Sequence, residues 1–305
     1  MSDSKSNIRK FWMRPKVIFA VFVLIVAYGG GIFSAVLAPY DYAEQDLSSV
    51  RQGPSMKHLL GTDFVGRDNL SRIIYSLRTN LIVTFAAVVT GSGFLGIFLG
   101  LISGYFGGWI DFLVMRIGDI FLAFPGLLLV ILIAATIRPR LINLAREIED
   151  ATFLEGLVRW GVIDYVIVFG SLAAFGWVGV ARMVRGQVLQ LSQFEYVVAG
   201  KAIGASTPRI LLRHIFPNAL PPIIVVLTMG MGSITGAEVI LSWLGIGIQP
   251  PTPSLGSMIR EAQNISILQN YPHMLIPPVL VVALLIFAWN LLGDAINDLL
   301  NPRSR

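Results

Sequence analysis

The stretch NLIVTFAAVVTGSGFLGIFLGLIS, Asn80–Ser103, contains no Asp, Glu, Lys or Arg. A helix of about 20 apolar residues crosses the ~30 Å of hydrocarbon in a bilayer, so this stretch predicts a membrane span. Gly96, Gly100 and Gly104 recur in and just beyond it at four-residue spacing, a small-residue stripe that a second helix can approach closely. Working outward, five more uncharged windows appear: Val17–Ala38, Ile120–Ile137, Tyr165–Ala181, Ala219–Ala237 reaching to about Leu244, and Met274–Gly293. The third extends backwards through Phe112–Asp119, and Gly232 and Gly236 repeat the small-residue pattern in the fifth.

The composition agrees. Hydrophobic residues make up 55% of the 305 and charged residues only 13%, half the charge of an average soluble domain. Too few charges remain to cover a water-soluble globule, which excludes a soluble enzyme, a disordered tail and a coiled coil. Cysteine is absent, so disulfides, thiolate metal sites and Cys nucleophiles are excluded; three histidines, His58, His214 and His273, show no HExxH spacing. The net charge of +5 is better matched to loops facing anionic lipid headgroups than to nucleic acid.

The prediction is an all-α polytopic membrane protein with six transmembrane helices. Residues 1–16 form a cytoplasmic N-terminus and 17–38 the first span. Residues 39–79 are an extracytoplasmic segment. A core over 80–297 holds five spans at about 80–103, 112–137, 163–183, 219–244 and 274–297, an outer segment 138–162 and a cytoplasmic loop 184–218; 298–305 is a cytoplasmic tail. Val17–Ala38 is too long and uninterrupted for a cleaved signal peptide. Even parity places both termini on one side. Lys5, Arg9, Lys10, Arg14 and Lys16, clustered before the first span, set that side as cytoplasmic.

Between the spans, GTDFVGRDNLSR (Gly61–Arg72) reads as tight turns at Gly61 and Gly66, with Asp68 capping a short helix that runs into the second span. Leu141, Leu144, Ile148, Leu154 and Leu157 have helical spacing, and Glu155 and Arg159 form an i,i+4 pair, so Arg140–Trp160 reads as a short amphipathic helix on the outer surface. The loop Val184–Pro221 has a small-residue, helix-compatible centre at Tyr196–Ala205, punctuated afterwards by Pro208, Pro217, Pro221 and Pro222. It reads equally as a knob presented to a partner and as a connection lying on the membrane. Prolines and glycines over Gly245–Pro272 forbid a regular helix, leaving a lid-like cap or a solvated loop.

Ionisable residues in spans default to a functional hypothesis. Glu238 lies in the fifth, either on a pathway or near its outer end. Asp111, Arg116 and Asp119 begin the third, where Arg116 and Asp119 can pair at i,i+3 and a helix-start role competes with a pathway role. Neither a phosphate loop nor a GxSxG elbow occurs: Gly200-Lys201 is followed by Ala202. A polytopic chain without an engine either moves something passively or borrows energy from a partner. A stand-alone secondary transporter or channel is the competing reading, although no convincing internal repeat appears. An intramembrane enzyme lacks a nucleophile–base pair or a metal site.

Four segments carry a resemblance. They are HLLGTDFVGRDNLSR (His58–Arg72), GYFGGWIDFLVMRIGDIFLAFPGLLL (Gly104–Leu129), WVGVARMVRGQVLQLSQFEYVVAGKAIGASTPRILLRHIFPNALPPIIV (Trp177–Val225) and SWLGIGIQPPTPSLGSMI (Ser242–Ile259). Together they resemble the inner-membrane permease subunits of ATP-binding-cassette (ABC) importers, in particular the C-type subunit of the dipeptide/oligopeptide permease group. The resemblance implies a type I importer transmembrane domain of MetI-like architecture, with a peripheral first span, in a bacterial or archaeal cytoplasmic membrane. It implies as partners a second, B-type permease subunit, two ABC ATPase subunits and an extracytoplasmic substrate-binding protein. No cofactor is expected on this chain; ATP and Mg belong to the ATPases. The implied cargo is peptide, with nickel complexes, glutathione or oligosaccharides as alternatives within the group.

The third segment resembles the importer coupling signature, EAA, three residues, Gly, nine residues, then I-x-L-P. Ala199, Gly204 and Pro217 agree with it. Val198 stands in place of Glu, Gly200 of Ala, His214 of Ile and Phe216 of Leu. The resemblance makes Tyr196–Ser206 the helix that docks on the ATPase, with Glu195, Tyr196, Ala199, Gly200, Lys201, Gly204, Ala205, Ser206 and Pro217 as its site residues. Small side chains would allow close packing, and Glu195 and Lys201 would supply rim contacts. Glu238, Arg116 and Asp119 are the pathway candidates. The stretch Arg138–Asp164, longer than is usual in the group, suits a contact with the companion permease or the binding protein.

Overall fold

Pro15 opens the first helix, α1 (Pro15–Ile32), at a position where its missing N–H goes unused. In the computed structural model, which describes residues 11–300 apart from 153–155 and 159–160, α1 is followed by α2 (Asn69–Phe106), α3 (Gly108–Leu122), α4 (Gly126–Ala151) and α5 (Val162–Leu191). Then come α6 (Glu195–Ala202), α7 (Thr207–Trp243), α8 (Leu255–Ala262), α9 (Ile265–Asn270) and α10 (Ile276–Leu300). No strand occurs among the described residues. Six helices, α1, α2, α4, α5, α7 and α10, the last with its preceding turn from Pro272, are long and apolar enough to cross a membrane. Their alternation puts 39–68, the α4–α5 connection and 244–271 at one end of the bundle, here the cap end. α3, α6, the start of α1 and the end of α10 lie at the other.

Asp68 caps α2 as expected, accepting from the Ser71 N–H at 2.8 Å. The capped helix is the span itself, not a short leader, and its 38 residues extend about 57 Å, well beyond the hydrocarbon. The glycine stripe behaves as predicted. A Cβ on Gly96, Gly100 or Gly104 would lie under 3 Å from Val180, Ala181 or Val188 of α5. Gly91 joins the stripe against Ala173, five residues before Gly96, because Val88–Gly96 is a π-helix whose wider turn brings that spacing round to α5. Gly232 and Gly236 face Trp289 and Ile286 of α10. α1 packs on α2 and α10 through Ala20, Leu24 and Tyr28.

Four boundaries depart from the sequence reading. The span expected over 112–137 is broken at Ala123–Pro125: Pro125 has no N–H to continue a helix, and it drives the preceding residue out of helical geometry. Positive φ at Gly107 and Gly108 frees the other end of α3, so α3 is a separate helix with Trp109 and Phe112 exposed. The true third span, α4, continues to Ala151, absorbing Arg140–Ala151 of the Arg140–Trp160 segment read as a separate amphipathic helix. Leu154, Glu155 and Arg159 lie outside the described residues. The loop 184–218 shrinks to 192–206, because α5 runs on to Leu191 and α7 starts at Thr207. Pro208 occupies α7's first turn, and a π turn at Ile210–Ile215 ends two residues before Pro217, the local adjustment by which membrane helices accommodate proline. Finally, Gly245–Pro272 contains two helices. α8 begins immediately after the prolines, with Ser254 and Ser257 forming a reciprocal capping box.

The cap end is tied by buried charge. Arg72 reaches Asp63 at 2.6 Å and Glu261 of α8 at 2.8 Å, and Arg67 reaches Asp63 at 2.6 Å. Arg138 of α4 pairs with Asp164 of α5 at 3.0 Å and donates to the Gly247 carbonyl at 2.8 Å.

Candidate functional site

At the other end, α6 stands between α5 and α7. Val197 and Gly200, three residues apart, turn inward, Val197 joining Val188, Ile210 and Ile215 in one apolar cluster. Val198, Ala199, Lys201 and Ala202 therefore face outward. Glu195 in the first turn and Lys201 in the last both suit the helix dipole. Gly204 ends the element in left-handed geometry, φ +81°. Its N–H bonds to the Lys201 carbonyl, and the Ala205 N–H to the Gly200 carbonyl, both at 3.0 Å. That is a Schellman termination, whose left-handed position favours glycine at Gly204.

The result is a rigid tip with an apolar surface: Ile203 is 86% and Val198 53% exposed, beside Phe194 and Tyr196. Lying in the connection between two spans at this end of the bundle, those side chains would meet water unless another protein covers them. Ser206 leads into α7 without bonding it through its side chain, and Pro217 sits within α7, outside the tip. Glu195 is exposed. Lys201 is committed: its ammonium stands 5.0 Å from the centre of the Tyr105 ring, so it pins α6 to α2 as well as standing at the rim. A notch of about 390 Å³ separates α6 from the start of α7, lined by Tyr196, Ala199, Gly200, Ile203, Arg209 and His214 among others. Ile203 and Arg209 were not among the sequence candidates. An isolated bulky apolar residue amid Ala and Gly was the available sign for Ile203; nothing local marked Arg209.

The pathway candidates separate. Asp119 pairs with Arg182 at 2.5 Å, not with Arg116. The expected i,i+3 contact loses to the neighbouring α5, whose guanidinium meets the carboxylate directly. Asp111 likewise binds Arg185 at 2.5 Å and accepts from Ser103, and the Arg185 hydrogen bond holds its carboxyl below the usual range. These groups and Arg116 line a cleft of about 410 Å³ between α3 and α5. Glu238 lies elsewhere, fully buried inside the chain. It accepts from Asn80 Nδ2 at 3.0 Å and Ser242 Oγ at 2.9 Å. Asn80 Oδ1 accepts from the Tyr28 hydroxyl, which accepts from the Trp289 indole at 2.9 Å. This buried polar chain connects α1, α2, α7 and α10.

The family model described as "Binding-protein-dependent transport system inner membrane component" matches residues 96–305. The chain belongs to this family. The chain is 37% identical over 289 residues to the dipeptide transport system permease protein DppC of Alkalihalophilus pseudofirmus, covering 95% of this chain and 84% of that protein. It is 37% identical over 303 residues to the glutathione transport system permease protein GsiD of Pectobacterium atrosepticum, covering 97% and 91%. The GsiD of Shigella dysenteriae is 36% identical over 303 residues, covering 96% and 90%. As a binding-protein-dependent transport component of MetI-like architecture, the chain is a multi-pass permease subunit of the peptide/oligopeptide group of ABC transporters. A subunit of this family works in an inner membrane, in a complex with other chains.

Proposed function

We propose that this permease subunit is one half of the channel of an ATP-driven importer of short peptides, coupled through α6 to cytoplasmic ATPase subunits. The rigid, outward-facing apolar tip of α6, ended by the Gly204 termination, carries this reading: a surface so apolar at the end of a membrane protein needs a protein cover. The N-terminus, the tail and α6 then face the cytoplasm, in keeping with the basic N-terminal cluster. Two ATPases bind ATP and Mg, and closing of their dimer moves α6. Because α6 is anchored to both α5 and α7, that motion passes directly into two spans. A companion permease completes the pathway, and an extracytoplasmic binding protein delivers cargo to the cap end. This chain does no chemistry on the cargo. Relatives named for dipeptide and for glutathione, itself a tripeptide, support a short peptide as cargo. Glutathione is therefore the second reading to assay.

Reconstituted vesicles test this. Uptake of labelled peptide should require ATP, the binding protein and this subunit together. Uptake that persists when this subunit is omitted would remove the reading, and uptake without ATP would favour a stand-alone transporter.

A further inference from the structure

The notch between α6 and α7 has a chemistry that the apolar tip does not explain. Arg209 and His214 both line it, although five residues apart they would stand well apart on an α-helix. The π turn over Ile210–Ile215 widens the backbone and brings both to one side. Among the described residues, neither side chain has an ion-pair or hydrogen-bond partner, and no carboxylate lines the notch. Arg209 carries a permanent charge with a planar set of donors suited to a carboxylate. His214 adds a ring donor, and the Tyr196 ring, 6.4 Å from the imidazole, forms one wall. On the tip itself, the signature position that carries Glu in the general pattern is the exposed, apolar Val198. The signature position itself therefore carries no acid, Glu195 standing three residues earlier in the first turn of α6, while a cationic recess stands open.

We propose that the notch receives an Asp or Glu side chain of the cytoplasmic ATPase, held by Arg209 and His214. Docking is then reciprocal: the apolar tip enters the ATPase, and an ATPase carboxylate enters the permease. This rests on the docking reading above. The notch is what makes the contact specific, because Arg209 and His214 reject a partner that has no acid at the matching place.

The test uses the full complex, purified through a tag on this subunit with its cognate ATPases. Variants are compared at equal membrane insertion. Arg209→Glu should weaken ATPase retention about tenfold or more and lower ATP-driven uptake in parallel, with Arg209→Gln intermediate. Raising salt should release the wild-type ATPase more readily than it releases the ATPase from Arg209→Gln. One acidic residue of the ATPase, found by single exchanges to Lys, should restore retention to Arg209→Glu. Wild-type retention and uptake in Arg209→Glu/His214→Ala, alongside loss in Gly204→Trp, would overturn the notch and leave docking by α6 standing. Loss in Arg209→Glu that no acidic-to-Lys exchange restores would also overturn it. Unchanged retention in Gly204→Trp would remove the docking reading itself.

Discussion

Lys201 stands over the face of Tyr105 with its ammonium 5.0 Å from the ring centre, joining the last turn of α6 to the end of α2. One short helix is thereby held by three longer ones: by α5 and α7 through the Val197 cluster and by α2 through this contact. Exposed cation–π contacts contribute about 0.5–1 kcal/mol. Tyr105→Ala should loosen α6 without unfolding the bundle. ATPase retention should fall a few-fold, Tyr105→Phe should behave as wild type, and hydrogen exchange of α6 amides should quicken. Unaltered exchange in Tyr105→Ala would show that the contact does not hold the helix.

Gly204 has φ +81°, and open space lies where a Cβ would be. Any cost of substitution is therefore one of backbone conformation and of partner fit, not of internal clash. A non-glycine residue in this geometry costs about 1–2 kcal/mol, and Asn less than Ala. Gly204→Asn should retain most uptake, Gly204→Ala less, and Gly204→Trp none, while thermal stability in detergent stays within a few degrees across the series. A large drop in stability for all three would place the defect in folding.

Gly100 behaves in the opposite way. A Cβ there would sit 2.7 Å from the Ala181 carbonyl oxygen and 2.7 Å from the Val184 Cβ, so α2 and α5 would have to part. Overpacking costs about 1–3 kcal/mol even where relaxation is possible. Gly100→Leu should yield little monodisperse protein, whereas Gly30→Leu in α1, where a Cβ meets nothing within 4 Å, should be tolerated. Size-exclusion profiles of fluorescent fusions distinguish the two.

Asp111 binds Arg185 and clasps α3 to α5. Its carboxyl is held below the ordinary range, chiefly by that hydrogen bond. A depressed folded pKa means the clasp stabilises fully above the unfolded value, about 3.9, and is lost as pH falls through the lower folded value. The stability difference between wild type and Asp111→Asn should therefore be flat from about pH 8 to 5 and shrink only below about pH 4. A difference that changes around pH 6–7 would point to another group.

Much of this molecule is legible residue by residue. Asp68 announces a helix start, Gly96, Gly100 and Gly104 announce a close helix pair, and the α6 core Tyr196–Ala202 lies inside the stretch that the coupling resemblance marks. Prolines misled in both directions. Pro208 and Pro217 suggested a loop where α7 is continuous: Pro208 stands in the first turn, where its missing N–H is unused, and the π geometry just before Pro217 accommodates it. Pro125 lay inside an expected span and ends it. The difference is whether surrounding helices and a widened turn can re-satisfy the freed backbone groups, which local composition does not record.

The sequence by itself determined the solvent, the number of crossings and the small-residue faces, because uncharged length and four-residue spacing are local properties of one chain in hydrocarbon. Only the tertiary structure decided that Asp119 answers Arg182 and not Arg116, and that Glu238 ends a buried hydrogen-bonded chain from Trp289. It also decided that Arg209 and His214 share one notch. In each case the partner is chosen by which helix packs alongside, or by how far a turn is widened, and a charge buried or clasped there takes the group that geometry brings within reach.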